Sequence, residues 1–137
     1  MRRDSAVLID SSVWIDYLRY KPPAPLVEEV NELILEEKAV IIPPILYEIL
    51  VGARNEVVYD SLRERFSGVS QVEISATIWE ESARLGFSLR RKGLVLPTTD
   101  VIISAAAIHY GLPILHADRH FDMIAKHSSL KILPRAS

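Results

Sequence analysis

The sequence predicts an α/β domain built on a mainly parallel β-sheet. Short unbroken apolar runs, such as residues 6–9 and 39–42, are typical of strands buried on both faces, as the strands of parallel sheets are. Longer segments with helical periodicity lie between these runs, and this alternation indicates α/β architecture. No internal repeat or linker divides the sequence, so we expect its 137 residues to form a single domain over positions 1–137.

The first half of the chain predicts two strands and three helices. In order, these are a strand at 6–9, a helix from Ser11 or Ser12 to Leu18, a helix from Leu26 to about residue 36, a strand at 39–42 and a helix from Pro43 to about Gly52. A serine hydroxyl can cap the first helix by accepting a hydrogen bond from a free backbone N–H group. The prolines between residues 22 and 25 separate the first two helices, whereas a proline is tolerated in the first turn of the third.

The second half predicts three further strands and four further helices. In order, these are a helix at 57–66, a strand at 69–74, a helix at 77–92, a helix at 99–110, a strand at 112–115, a short helix ending near Lys126 and an edge strand at 131–133. Thr98 is the expected cap of the helix at 99–110, and Gly111 ends it. That helix is apolar on almost every side, so we expect it to be buried in the middle of the fold.

The composition excludes several classes of protein. The absence of cysteine excludes a disulfide scaffold, a thiolate zinc site, an iron–sulfur cluster and a cysteine nucleophile. With 16 Lys and Arg against 18 Asp and Glu, the net charge of −2 argues against attachment to nucleic acid by charge alone, but not against an enzyme that meets it through a metal. The apolar stretch at 101–108 is far shorter than the ~20 residues that span a bilayer, so we expect a soluble cytoplasmic protein without a membrane partner.

Four carboxylates follow the predicted strands or lie in the helices after them. They are, in chain order, Asp10, Glu48, Asp100 and Asp118. Ligands of open α/β sheets bind outside the carboxyl ends of the strands, so these side chains could converge on one edge. Converging carboxylates repel one another unless a cation neutralises them, and Mg²⁺ or Mn²⁺ prefers oxygen ligands. Such an ion activates water for attack on phosphorus, so the pattern indicates metal-dependent phosphodiester hydrolysis.

Each of these residues also has a purely structural explanation. Asp10 would cap the following helix, and the charge of Asp100 would favour a helix N-terminus. Glu48 would lie on a solvent-facing stripe, because burying it among its apolar neighbours is costly. Ordinary capping and surface positions would likewise explain three more polar residues, which are Ser12, Asp118 and Asp122. Spacing alone leaves both explanations open.

Four segments resemble, in order, the motifs of PIN-domain nucleases, and in particular the VapC-type toxins of prokaryotic toxin–antitoxin pairs. The segments are VLIDSSVWI at 7–15, YEILVGAR at 47–54, LPTTD at 96–100 with ISAAA at 103–107, and GLPILHADRHF at 111–121. Each motif is weak alone, but four in this order with family-like spacing are specific.

The resemblance implies a three-layer α/β/α sandwich with a mainly parallel, five-stranded sheet, and an endoribonuclease that depends on Mg²⁺ or Mn²⁺. Six residues match functional positions of the family. They are the four acids, an active-site hydroxyl and a further acid found in some members, which are here Asp10, Glu48, Asp100, Asp118, Ser12 and Asp122.

Position 116 departs from the family pattern, because many members have Thr or Ser where this chain has His116. A histidine there could orient a water or contact the substrate phosphate, or it could be a neutral exposed side chain. With Asp118, His120 and Asp122 it forms an alternating run that suggests zinc, which we disfavour because the other matched positions supply only oxygen ligands. Arg119, beside Asp118, is the better candidate for contact with an RNA phosphate.

The resemblance also implies protein partners. A cognate antitoxin would lay an amphipathic segment along a hydrophobic groove and place a basic side chain at the acidic site. Trp14, Tyr17, Leu18 and the apolar face of the helix at 26–34 are candidate groove residues, although each would serve equally well in the core. A homodimer, or a hetero-oligomer with the antitoxin, is expected.

The alternative function is a catalytically silent PIN-like module that acts through protein partners. Such a module would keep the fold and lose the four acids, yet all four are present.

Overall fold

A computed structural model describes residues 6–134 of the chain, so residues 1–5 and 135–137 of the expected domain lie outside the described part. Four strands and seven helices occur within those described residues. In order, they are β1 (Val7–Ile9), α1 (Ser11–Leu18), α2 (Ala24–Leu35), β2 (Ala39–Ile41), α3 (Pro43–Val51), α4 (Glu56–Phe66), β3 (Ser70–Gln71), α5 (Ala76–Arg91), α6 (Thr98–Tyr110), β4 (Ile114–Leu115) and α7 (Arg119–Ala125).

The strands form one sheet in the order β3-β2-β1-β4, and every pairing is parallel. Leu8 in β1 is central, since it pairs with Val40 on one side and Ile114 on the other. All residues of β1 and β2 are buried, as their unbroken apolar sequences predicted. The prediction of an α/β fold with a parallel sheet is therefore confirmed.

The predicted fifth strand at 131–133 is wrong for the described chain. Only Ile132 makes a parallel bridge, to Ile114, with hydrogen bonds of 2.9 Å from Ile114 N to Lys131 O and from Leu133 N to Ile114 O. Within the described residues a single bridge forms here, and one bridged residue does not make a strand. The sheet consequently has four strands.

Several helices begin at positions that differ from the predicted ones. Asp10, rather than a serine, caps α1, and Pro97 rather than Thr98 precedes the first residue of α6. Asn55 caps α4 through its side chain, and Ser75 does the same for α5. These differences arise because a cap is defined by which side-chain oxygen reaches a free N–H group, and neighbouring polar residues compete for that role.

The second helix begins inside the segment that predicts a chain break. Pro23 is the N-cap of α2, and Pro25 lies within its first turn, where the missing N–H group has no helical partner in any case. At the sheet edge, β3 is shorter than the predicted strand at 69–74, because only Ser70 and Gln71 pair with β2. Both of those residues are exposed, as is common at an edge.

Helix α6 is the buried helix that its apolar sequence predicts. Every residue from Asp100 to Ala107 is buried, and its main helical neighbour is α5. The two helices approach closely at Gly86, where a Cβ atom would lie 3.7 Å from Val101 Cγ1. This packing fixes the N-terminal turn of α6, and with it Asp100, in a rigid part of the molecule.

In the described part of the chain, no helix is both long enough and apolar enough to cross a membrane.

Candidate active site

Asp10 joins the end of β1 to the start of α1, and its side chain is 3% exposed. One carboxylate oxygen, Oδ2, accepts hydrogen bonds from the backbone N of Ser12 at 3.0 Å and from the Ser12 hydroxyl at 2.5 Å. The other, Oδ1, is buried without a hydrogen-bond partner. Burial raises the pKa of Asp10 above its ordinary value of 3.8, with repulsion from Asp118 adding to the effect and the Ser12 hydrogen bonds opposing it.

Ser12 connects the two chain segments that carry the first and last acids. Its hydroxyl donates to Asp10 and accepts a hydrogen bond of 2.9 Å from the backbone N of Ala117. The side chain therefore has a structural role at the site as well as a local one within the first turn of α1.

We expect Ser12→Ala to lower the free energy of unfolding by about 1–2 kcal/mol, because it leaves the Ala117 N–H group and the buried Asp10 carboxylate each one hydrogen bond short. Urea unfolding measures the change. Ser67→Ala is a matched control, since its hydroxyl bonds only to Glu64 O in an exposed turn; a loss below about 0.5 kcal/mol is expected there. Equal losses in the two variants would contradict the connecting role of Ser12.

Glu48 approaches the same region from α3. Its side chain is half-buried, and Oε1 accepts a hydrogen bond of 2.8 Å from the hydroxyl of Ser11. Ser11 is 8% exposed and is the first residue of α1, beside Asp10. The hydrogen bond anchors Glu48 to the loop that carries Asp10. Sequence reasoning considered Ser11 only as a helix cap, because nothing in its spacing links it to α3.

Asp100 lies in the first turn of α6 and is 8% exposed. Burial is the main cause that raises its pKa to about 6, and repulsion from Asp118 adds to it, whereas a hydrogen bond with His120 acts in the opposite direction. Two of the four predicted acids, Asp10 and Asp100, are thus buried, mutually repulsive and raised in pKa.

Asp118 and His120 complete a compact group with Asp100. Asp118 caps α7, and its Oδ1 accepts a hydrogen bond of 3.0 Å from the backbone N of His120. The imidazole Nδ1 of His120 lies 3.0 Å from Asp100 Oδ2 and 3.1 Å from Asp118 Oδ1. Ligand-type atoms of the three residues lie within 4.8 Å of one another. His120 was not among the predicted site residues, and its one sequence signal was its place in the alternating His and Asp run.

His116 and Asp122 form a separate pair. His116 is 9% exposed, its Nδ1 accepts a hydrogen bond of 3.0 Å from Asp118 N, and its Nε2 lies 3.0 Å from Asp122 Oδ1. Because Nδ1 is an acceptor, Nε2 carries the proton and donates to Asp122. The expectation of an exposed His116 is therefore wrong. The alternating run does not form one zinc site either, since its two histidines face different carboxylates and both nitrogens of His116 are engaged.

Arg119 is exposed and forms no ion pair with any residue of the described chain. Its guanidinium is consequently available to an anion near Asp118. Asp122, by contrast, is held by His116 and does not belong to the group that Asp100, Asp118 and His120 form.

The residues at this edge suit a divalent cation. The Oδ1 atom of Asp10 is buried and accepts no hydrogen bond. A buried carboxylate oxygen of this kind is costly unless a hydrogen-bond donor or a cation satisfies it. Burial and repulsion between carboxylates also raise the pKa values of Asp10 and Asp100, and a bound cation would lower both of these pKa values. The site fits a cation on both grounds.

A groove of about 710 Å³ runs beside the acidic edge between α1, α3 and α4. Glu48 forms part of its wall together with apolar side chains that include Ile15, Leu18 and Val57. Leu18, one of the candidate groove residues, lines this groove, and its contact with an antitoxin stays a prediction. Trp14 is 2% exposed, and its ring packs edge-on against Phe66 at 4.8 Å, so Trp14 is mainly a core residue.

Comparison with known proteins identifies similar chains. The PIN domain family matches residues 7–127. Ribonuclease VapC11 of Mycobacterium tuberculosis and VapC ribonuclease Mb1587 of Mycobacterium bovis are each 34% identical to this chain over an alignment of 129 residues. Each match covers 91% of this chain and 96% of the relative. The crystal structure of VapBC2 from Rickettsia felis, bound to a DNA fragment from its promoter, matches with a TM-score of 0.78 at 18% identity. That match covers 93% of this chain and 97% of the other, and it shows a shared fold.

Proposed function

The chain belongs to the PIN-domain family and is a relative of the VapC ribonucleases, and from that premise we propose that it is a metal-dependent endoribonuclease and the toxin of a toxin–antitoxin pair. The observation that carries the proposal is the acidic edge of the sheet, where buried carboxylates with raised pKa values lie at the end of β1 and at the start of α6, with Asp118 beside them after β4. A bound cation stabilises such an arrangement of carboxylates, and the cation in turn attracts the negative charge of a phosphodiester.

In the proposed site, Asp10, Glu48, Asp100 and Asp118 hold Mg²⁺ or Mn²⁺ directly or through water. When bound, the ion lowers the pKa of a coordinated water and offsets the charge that develops on the phosphate. The protein contributes the placement of these oxygens. The Ser12 hydroxyl holds Oδ2 of Asp10 by a hydrogen bond and leaves Oδ1 free. The Ser11 hydroxyl likewise holds Oε1 of Glu48.

The surrounding residues have proposed roles in shaping the site and binding RNA. Arg119 binds a substrate phosphate, which its exposure and lack of an ion pair within the described chain support. His116 positions the loop before α7 and holds Asp122, so these two residues act on Asp118 through the backbone rather than on the substrate.

The proposed protein partner is an antitoxin; the toxin–antitoxin complex from Klebsiella pneumoniae has a similar fold, with a TM-score of 0.68 at 21% identity. The groove beside Glu48 is lined by apolar side chains and by three arginines, which are Arg19, Arg54 and Arg65, and a segment lying in it could place a basic side chain beside Glu48. We propose in addition a homodimer, a single domain over residues 1–137 and action in the cytoplasm, where the RNA substrate lies.

We also propose that the sheet lies between two layers of helices. The burial of β1 and β2 on both faces supports helices on both sides of the sheet, and hence three layers.

The second candidate is a catalytically silent PIN-like module that acts through protein partners. It would have no need to keep Asp10 and Asp100 charged and buried, since each would be more stable as a neutral residue. The retention of these acids favours the enzyme.

We expect purified protein to cleave a structured RNA internally with Mg²⁺ or Mn²⁺ and to lose that activity in EDTA. Adding back each ion should restore cleavage, and mapping the new RNA ends identifies the cut sites. The same RNA incubated with metal alone is the control for metal-catalysed breakdown. Cleavage that persists after complete chelation would contradict the metal-dependent mechanism, whereas metal binding without cleavage would favour the silent module.

A further inference from the structure

We infer that His120 is a nitrogen ligand of the metal centre and that it makes the centre discriminate in favour of a first-row transition ion, such as Mn²⁺, and against Mg²⁺. This inference rests on the proposed metal-dependent function, but it concerns which ion the centre selects. An all-oxygen set of the four acids would bind either ion.

The distances around His120 Nδ1 are those of adjacent ligand atoms on one ion. In an octahedral site with ligands at about 2.1 Å, neighbouring ligand atoms are about 3.0 Å apart. Nδ1 lies 3.0 Å from Asp100 Oδ2 and 3.1 Å from Asp118 Oδ1. The third ligand-type separation in the group is within 4.8 Å, so the three atoms surround one point without a rearrangement of the backbone.

The backbone also holds His120 in this position. Its N–H group donates to Asp118 Oδ1, so the carboxylate that would share the ion also ties down the residue that carries the imidazole. Helix α7 is anchored in turn by Phe121, which is fully buried directly after His120. A ligand that is fixed before the ion binds pays little ordering entropy at binding.

A simple ion pair would not account for the whole site. If His120 served only to neutralise Asp100 and Asp118, the buried Oδ1 of Asp10 would still lack a partner. An ion bound between Asp100 and Asp118 accepts the imidazole lone pair, and its positive charge also offsets the repulsion between these two aspartates and the buried carboxylate of Asp10. Imidazole suits first-row transition ions, whereas Mg²⁺ binds almost entirely through oxygen. Nitrogen ligation therefore separates the two ions.

The decisive experiment is pulsed EPR of Mn²⁺ bound to the wild-type chain, since electron spin echo modulation from ¹⁴N reports a directly bound imidazole. We expect that modulation in wild type and in His127→Asn, a control in which an exposed histidine outside the group is replaced, and its loss in His120→Asn. Calorimetry should show that His120→Asn weakens Mn²⁺ binding by about tenfold or more and Mg²⁺ binding by less than about twofold.

A second variant, His120→Asp, replaces nitrogen by oxygen and keeps the number of ligands. Its added charge should tighten both ions, yet the ratio of Mn²⁺ to Mg²⁺ affinity should fall by about tenfold relative to wild type. Absence of ¹⁴N modulation in wild type, no Mn²⁺ binding, or equal changes for both ions would overturn the inference. RNA cleavage measured in parallel separates the two proposals: cleavage without a nitrogen signal overturns only the role of His120, and a nitrogen signal without cleavage overturns only the ribonuclease.

Discussion

We expect Asp100→Asn to lower the rate of RNA cleavage by about 10³-fold and, in the absence of metal, to stabilise the fold. The substitution removes one carboxylate of the proposed metal site but keeps the side-chain volume and a polar group opposite His120. A catalytic metal supplies several kcal/mol of charge stabilisation in the transition state, and losing about 4 kcal/mol corresponds to a factor of this size. Initial rates of cleavage at saturating Mn²⁺ measure the effect.

The gain in stability follows from the electrostatics of Asp100. Burial and repulsion from Asp118 raise its pKa to about 6, so at neutral pH the folded protein carries a charge that the fold disfavours. A neutral Asn should therefore raise the free energy of unfolding in EDTA by about 2 kcal/mol, after allowance for screening by solvent. Loss of activity with a gain in stability is the signature of a residue kept for function.

Asp60→Asn is the matched control for Asp100→Asn, because Asp60 is an exposed aspartate in α4. It should change neither the cleavage rate nor the stability by a measurable amount. An Asp100→Asn protein that cleaves RNA at the wild-type rate would refute the proposed role. One that loses activity and stability together would show instead that Asp100 supports the fold.

The predictable part of the site is the part that depends on strand ends. Asp10 and Asp118 lie close to the ends of β1 and β4, and the carboxyl ends of parallel strands meet at one edge of the sheet. Asp100 follows from the same logic, because a helix that is apolar on all sides must be buried and brings its first turn into the interior. The alternation of apolar runs and helices likewise predicted the parallel sheet.

The parts that sequence reasoning missed depend on contacts between distant side chains. Ser11 reaches Glu48 across 37 positions of sequence, and His120 reaches Asp100 across 20. Whether a side chain in a first helical turn points to the site or away from it depends on where the helix begins, and a shift of one residue turns it by about 100°. Asp118 caps α7, and that start aims His120 at the acids and His116 at Asp122.

The number of strands was mispredicted for a local reason. The segment at 131–133 has the composition of a strand and makes two ladder hydrogen bonds, but within the described chain only Ile132 pairs with the sheet, so a single bridge forms instead of a strand. A short apolar run at the edge of a sheet predicts a contact with the sheet more safely than it predicts a strand.

The stability of the metal-free protein should fall as the pH rises between the ordinary aspartate pKa of 3.8 and the folded-state pKa of about 6 for Asp100. In this interval the folded chain binds more protons than the unfolded chain, because the raised pKa keeps the buried carboxyl protonated, so raising the pH favours unfolding. The raised pKa of Asp10 acts in the same direction. The stabilisation that the protonated Asp100 contributes is fully present below pH 3.8 and is lost as the pH passes about 6. It amounts to about 2 kcal/mol for Asp100 alone.

Urea unfolding in EDTA across this pH range, in wild type and in Asp100→Asn, isolates the contribution, because other titrating groups cancel in the difference between the two proteins. The difference should be near zero at the acid end and should grow in favour of the variant as the pH rises. Mn²⁺ should reverse the order at neutral pH, since an ion at a hundred times its Kd stabilises the folded wild type by about 2.7 kcal/mol, whereas the variant binds it poorly. If the wild type gains stability over the variant with rising pH, or if Mn²⁺ does not stabilise the wild type at neutral pH, these carboxylates do not form a cation-binding site.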